Sequence, residues 1–192
     1  MARPHRQANG GIWRARIALD TVQLVTDLST SPWPGRRAVV TIGAYDGVHL
    51  GHRTVINQVK QRAAELGALS VVVTFDVHPA SIVRPDAAPK MLTNAAQKLE
   101  LLEATGVDAV VVVPFSAAQA KETPVDFVQR VLIDALHVQA VIVGSDFHFG
   151  HMRQGNVTLL REMGERHDFT CEPVVLIPRA DGIDEPVSST AI

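Results

Sequence analysis

Apolar residues in this chain fall in short unbroken runs, and between the runs the spacing changes to that of amphipathic helices. Runs rich in valine and isoleucine occupy residues 38–43 (AVVTIG), 69–75 (LSVVVTF), 107–115 (VDAVVVVPF), 139–144 (QAVIVG) and 170–178 (TCEPVVLIP). Helical spacing covers 52–67, 93–106, 123–137 and 156–167. The start and stop signals agree with it. Thr93, Thr123 and Asn156 are N-cap residues, Pro124 stands at a first helical position with Asp126 in the first turn, and Gly67 and Gly106 close helices. Unbroken β-branched runs alternating with amphipathic helices predict an α/β fold: an open, parallel, five-stranded sheet with helices on both faces, of Rossmann-like type.

Residues 1–37 lack this rhythm. IWRARIAL (12–19) alternates and predicts an edge strand, whereas STSPWPGRR (29–37) is broken by turns and prolines. We therefore divide the chain into a partly irregular N-terminal extension, 1–37, and one domain, 38–192. In open α/β sheets, ligands bind outside the carboxyl ends of the strands. Residues that follow strands are accordingly the first candidates for chemistry.

Composition narrows the classes of function. The 192 residues are 46% apolar and 20% charged, with a formal net charge of −2. No block of lysines or arginines argues for nucleic-acid binding. One cysteine, Cys171, excludes an internal disulfide and fits a reducing compartment. No apolar run approaches the roughly 20 residues needed to span a bilayer, and the N-terminus lacks the apolar core of a signal peptide. The expectation is a soluble, cytoplasmic protein without membrane or nucleic-acid partners. The sequence leaves its oligomeric state open.

The densest chemistry lies in TIGAYDGVHLGHRTVI (41–56), between the first strand and the first helix. Gly43, Gly47 and Gly51 permit a tight turn and close approach to a ligand. The helix that follows begins near Gly51 and His52, with unpaired N–H groups and a positive dipole end suited to phosphate. His49 and His52, three apart at that start, can present both rings on one side. Asp46 has two open roles: contact with a ligand or Mg²⁺, or closure of the turn by an Asx hydrogen bond. The stretch is neither a P-loop nor a GxGxxG turn. It is HxGH, the signature of the nucleotidyltransferase and class I tRNA synthetase superfamily.

Four segments together resemble one family more closely. GAYDGVHLGH (43–52), TFDVHPASI (74–82), VGSDFHFGHMRQGN (143–156) and VSSTAI (187–192) are similar, in order, to the motifs of the FMN adenylyltransferase module of bacterial bifunctional riboflavin kinase/FAD synthetases. The resemblance implies transfer of AMP from ATP to FMN, giving FAD and pyrophosphate. It implies that His49 and His52 are catalytic, stabilising charge on the ATP phosphates and the departing pyrophosphate. Gly43, Tyr45, Asp46, Gly51, Ser188, Ser189 and Thr190 would bind nucleotide or phosphate. Asp76, His78, Pro79, Asp146, Phe147, Phe149 and Arg153 would form the flavin side. Val77 departs from the family's usual proline. Mg²⁺ is expected, held mostly by the substrate phosphates, and no dedicated protein metal ligand stands out. His5, His137, His148, His151 and His167 show no metal-ligand spacing.

The family also carries an arginine after the position of Ile192 and a riboflavin kinase domain. Relative to it the chain reads as truncated at its C-terminal end, and kinase activity is not expected. Two alternatives remain: another HxGH transferase, acting for instance on pantetheine phosphate or glycerol phosphate, or a non-catalytic flavin- or nucleotide-binding module.

Overall fold

The computed structural model describes residues 22–174. In chain order, its main elements are β1 (Gln23–Val25), β2 (Ala38–Ile42), α1 (Leu50–Leu66), β3 (Leu69–Phe75), α2 (Pro79–Val83), α3 (Ala95–Glu103) and β4 (Ala109–Val113). Then come α4 (Pro124–Phe127), β5 (Val138–Gly144), the two-residue strands β6 (His148–Phe149) and β7 (Gly155–Asn156), α5 (Val157–His167) and β8 (Thr170–Val174). Six strands form one parallel sheet in the order β1-β4-β3-β2-β5-β8, and β6 and β7 make a small antiparallel ribbon.

The four long runs are continuous because both faces of their strands are covered. Every residue of β2 and β4 is buried. On one face Val40, Val71, Val111 and Val141 pack with Leu132, Leu136 and Leu160. On the other, Val72 and Val110 meet Ile56 and Leu102, and Val39, Ala140 and Ile142 meet Val55 and Val59.

The sheet has six strands where the apolar runs predict five. The extra strand is β1, which pairs in parallel with β4 although it lies in the segment read as an extension. Three residues, QLV, carry too little pattern to announce a strand. The predicted strand 12–19 lies outside the described residues. Thr93 does not cap α3. Asn94 does, in a reciprocal capping box with Gln97, and the Thr93 hydroxyl goes elsewhere, as described below. The helix predicted over 123–137 starts as expected with Thr123 as cap and Pro124 in the first turn. From Val128 to Ala135 it widens into a π-type coil, in which Gln129 donates to the Asp134 carboxylate five residues on (2.8 Å).

Strand order positions the site. From β2 the chain moves one way, through α1, to β3 and β4; it later returns to the opposite side of β2 as β5. The loops leaving β2 and β5 therefore diverge at the carboxyl edge of the sheet. That edge is where such folds open a crevice.

Packing at the far edge is tight enough to test. Gly164 on α5 lies so close to the Phe169 carbonyl that an added Cβ would sit 2.2 Å from that oxygen. Gly164→Ala is expected to lower the unfolding free energy by about 1–3 kcal/mol. Urea unfolding would show a lower midpoint at constant slope; an unchanged midpoint would contradict this packing.

Candidate active site

The loop after β2 is built from the backbone outward. Gly43 continues the ladder, its N–H donating to the Val73 carbonyl (3.0 Å). Its missing side chain matters: a Cβ would lie 3.0 Å from the Tyr45 ring, which folds back over it. Tyr45 is buried, shares a hydrogen bond with the Thr41 hydroxyl (2.7 Å), and has its phenol pushed up by burial. Its ring is tilted against that of His52, with centroids 4.7 Å apart. Residues Asp46–Val48 make one 3₁₀ turn around Gly47, whose φ of 67° suits glycine.

Asp46 ties this turn to the segment before α3. Its carboxylate accepts from the Leu92 N–H (2.8 Å), the Thr93 N–H (2.9 Å) and the Thr93 hydroxyl (2.7 Å). The Gly47 N–H in turn donates to that hydroxyl (3.2 Å). Burial alone would raise the Asp46 carboxyl, but the hydrogen bonds from Leu92 and Thr93 outweigh it and hold it below its ordinary range.

His49 is the N-cap of α1, and its Nδ1 accepts a long hydrogen bond from the His52 N–H (3.4 Å). Accepting at Nδ1 places the proton of the neutral ring on Nε2. The two imidazoles stack, with centroids 3.6 Å apart and planes inclined by 22°. The structure thus brings the two predicted catalytic histidines into contact at the start of α1, with Gly51 buried between them in its first turn. Burial lowers the pKa of both. For His52 the neighbouring His49 adds to burial, Asp46 only partly offsets them, and the value falls to about 3. Both rings are neutral at pH 7. The Nδ1 of His52 is buried without a hydrogen-bond partner among the described residues.

The loop after β3 is held in a similar way. The Asp76 carboxylate accepts from the Val77 and Phe115 N–H groups (2.8 Å each), joining the ends of β3 and β4. His78 caps α2, its Nδ1 accepting from the Ala80 N–H (3.1 Å), and Pro79 is the first residue of that helix. Burial lowers the His78 pKa, Asp46 opposes, and the charge of Lys98 lowers it further.

Lys98 is a residue that the motifs do not reveal. It is only 5% exposed on α3, and its ammonium donates to the Phe75 carbonyl (2.7 Å) and the Thr74 hydroxyl (3.3 Å). Burial lowers its pKa while Asp46 and Asp76 raise it. One signal was available: Lys98 stands one turn before buried Leu102, so a lysine occupies the apolar stripe of the helix.

After β5, Phe147 stacks on Phe149 with centroids 5.4 Å apart. Phe149 is core, lying 5.8 Å from Phe127, whereas Phe147 is half-buried at its margin. Asp146 and Arg153 are exposed. Ser188, Ser189 and Thr190 lie outside the described residues. Among those described, no group of three or more histidine, cysteine, aspartate or glutamate side chains gathers as a metal site, and no helix is long and apolar enough to cross a membrane.

Comparison with known proteins gives this geometry a family. The FAD synthetase family model matches residues 32–191. The chain belongs to the FAD synthetase family. It is 37% identical over 171 residues to the bifunctional riboflavin kinase/FMN adenylyltransferase of Pseudomonas fluorescens, covering 89% of this chain and 54% of that protein. It is 34% identical to the Haemophilus influenzae protein of the same name, with the same shares covered. The chain thus spans about half the length of the relatives it matches.

Solved structures bear on its fold. A Streptococcus pneumoniae structure described as a macrolide-efflux protein superposes with a TM-score of 0.71 at 22% identity, over 89% of this chain and 54% of that one. A Francisella tularensis pantoate-beta-alanine ligase, solved with beta-gamma ATP and beta-alanine, gives 0.57 at 13% identity, over 88% and 72%.

The neutral histidine pair predicts a pH dependence of stability. An unfolded histidine titrates near 6.5, and folded His52 near 3. Between these values the unfolded chain takes up a proton that the folded site refuses. Stability is therefore full above about pH 6.5 and declines as pH falls toward 3. Melting temperatures from pH 7 to 4 should fall, and His52→Phe should make the decline shallower. Parallel declines in parent and variant would contradict a buried neutral imidazole.

Proposed function

We propose that this chain is an FMN adenylyltransferase, transferring AMP from ATP to FMN with release of pyrophosphate. The observation that carries the reading is the stacked His49–His52 pair at the first turn of α1, at the carboxyl edge beside the strand-order switch. Membership of the FAD synthetase family supports the choice of substrates.

In this reading, an oxygen of the FMN phosphate forms a bond to the α-phosphorus of ATP. The bond from that phosphorus to the oxygen bridging the β-phosphate breaks, and its electron pair leaves with pyrophosphate. No covalent enzyme intermediate is needed. The protein contributes alignment and charge stabilisation. The imidazole N–H groups and the first N–H groups of α1 donate to phosphoryl oxygens. Each neutral ring keeps one N–H to donate, on Nε2 in His49, whose Nδ1 already accepts from the His52 N–H. Gly43 and Gly51 let the backbone approach the phosphates, and Ser188, Ser189 and Thr190 add hydroxyls to them. Tyr45 and Asp46 act through the loop, one supporting the His52 ring and the other anchoring the turn.

Phe147, Asp146, Arg153, His78 and Pro79 form the flavin side, while Asp76 and Phe149 shape it from behind. Mg²⁺ enters with ATP and offsets phosphate charge. The carboxylates of Asp46 and Asp76 are engaged by backbone N–H groups, which supports a metal held by the nucleotide rather than by a protein cage. We assign the chemistry to residues 38–192 and a cytoplasmic setting where both substrates occur.

The test is incubation of the 192-residue chain with FMN, MgATP and pyrophosphatase, with FAD followed by chromatography. FAD should form. His49→Ala and His52→Ala should each cut turnover by about 10²–10³, the scale for one charge-stabilising donor, with FMN binding retained. Transfer to pantetheine phosphate or glycerol phosphate instead would establish a different transferase. Ligand-induced thermal stabilisation without any product would establish a binding module.

A further inference from the structure

We propose that Lys98 is a positioning residue for adenylyl transfer: its ammonium fixes the histidine loop and the loop after β3 against each other. The inference rests on the reading above for its reaction, but its geometry stands alone. Nζ of Lys98 donates to the carbonyl of Phe75, the last residue of β3, and to the Thr74 hydroxyl. That hydroxyl donates onward to the Ala44 carbonyl (3.1 Å), inside the histidine loop between Gly43 and Tyr45. One charged group on α3 thus grips the end of β3, where the second loop begins, and reaches the histidine loop through the Thr74 hydroxyl.

A lysine is a costly filler for a buried position, because its ammonium must be taken from water. An apolar residue of similar length would fill the same space without that cost. Lys98 is instead matched to its place. Both hydrogen-bond acceptors lie at the carboxyl edge, and the carboxylates of Asp46 and Asp76 favour its charge from either loop. Those carboxylates organise the two loops through backbone N–H groups. Lys98 supplies the positive charge between them. Since the histidines sit five and eight residues beyond Ala44, a shift of that carbonyl would move the cap of α1 and the ring stack with it. A misplacement of about 1 Å far from the reacting atoms can cost about 10²-fold in rate.

The experiment combines hydrogen exchange with kinetics on the 192-residue chain. Lys98→Met should speed amide exchange about tenfold or more in residues 43–48 and 75–80, the effect of losing one buried hydrogen bond, and leave α5 and β8 unchanged. In the same variant kcat should fall about 10²-fold, with KM for ATP and FMN within about threefold of wild type. Thr74→Val, nearly isosteric, should speed exchange in 43–48 alone and lower kcat in the same direction; it carries the test if Lys98→Met does not fold. Wild-type exchange in both loops, a uniform rise across the sheet, or an unchanged kcat would each overturn the proposal. A wild-type chain that makes no FAD would overturn the transfer reading, and with it the role in transfer. Exchange would still decide whether Lys98 joins the loops.

Discussion

Two imidazole rings lie face to face, 3.6 Å apart, on the first turn of α1, and the site is arranged around that contact. Stacked imidazoles in a half-buried setting resist protonation, since a charge on either would face both desolvation and its neighbour. They are thus held neutral. The same position concentrates the unpaired N–H groups and the positive dipole end of a 17-residue helix. A triphosphate there would meet donors already in place, and little of its binding energy would go into arranging them.

What keeps the rings in place is mostly not at the rings. Tyr45 supports His52 from below, and it can do so only because Gly43 has no side chain. Asp46 draws the turn toward Leu92 and Thr93, while Asp76 joins the ends of β3 and β4. Both aspartates face the backbone with hydrogen-bonded oxygens, as acids commonly do where a loop must keep one shape. The carboxyl edge of the sheet is therefore a set of loops cross-linked by polar groups, of which Asp46 and Lys98 are buried.

Much of this was legible in the residues. The unbroken runs at 38–43, 69–75, 107–115 and 139–144 announced strands buried on both faces, and the HxGH spacing placed two histidines at a helix start. The role of Asp46 was open between ligand contact and turn closure, because side-chain hydrogen bonds to residues 46 and 47 positions away leave no local signature. Thr93 looked like a cap because it stands at a helix start. Tertiary demand from Asp46 claimed its hydroxyl, and Asn94 took the cap. β1 was invisible at three residues, since it exists by pairing with β4 rather than by its own pattern. Lys98 was hidden for a different reason: a single lysine in an apolar stripe reads as a solvated side chain until its acceptors, from a strand 23 residues earlier, are seen.

The central claim concerns those two rings and a nucleotide, and spectroscopy of the ring nitrogens addresses it most directly. Long-range proton–nitrogen spectra recorded during a titration with MgATP should show the ring nitrogens of His49 and His52 moving together along one binding curve, as their N–H groups take phosphoryl oxygens. His137 and His167, which precede β5 and β8 at the opposite edge of the sheet, should stay still. Saturation of the chain by MgATP, seen through any other signal, with both stacked rings unmoved would contradict the account.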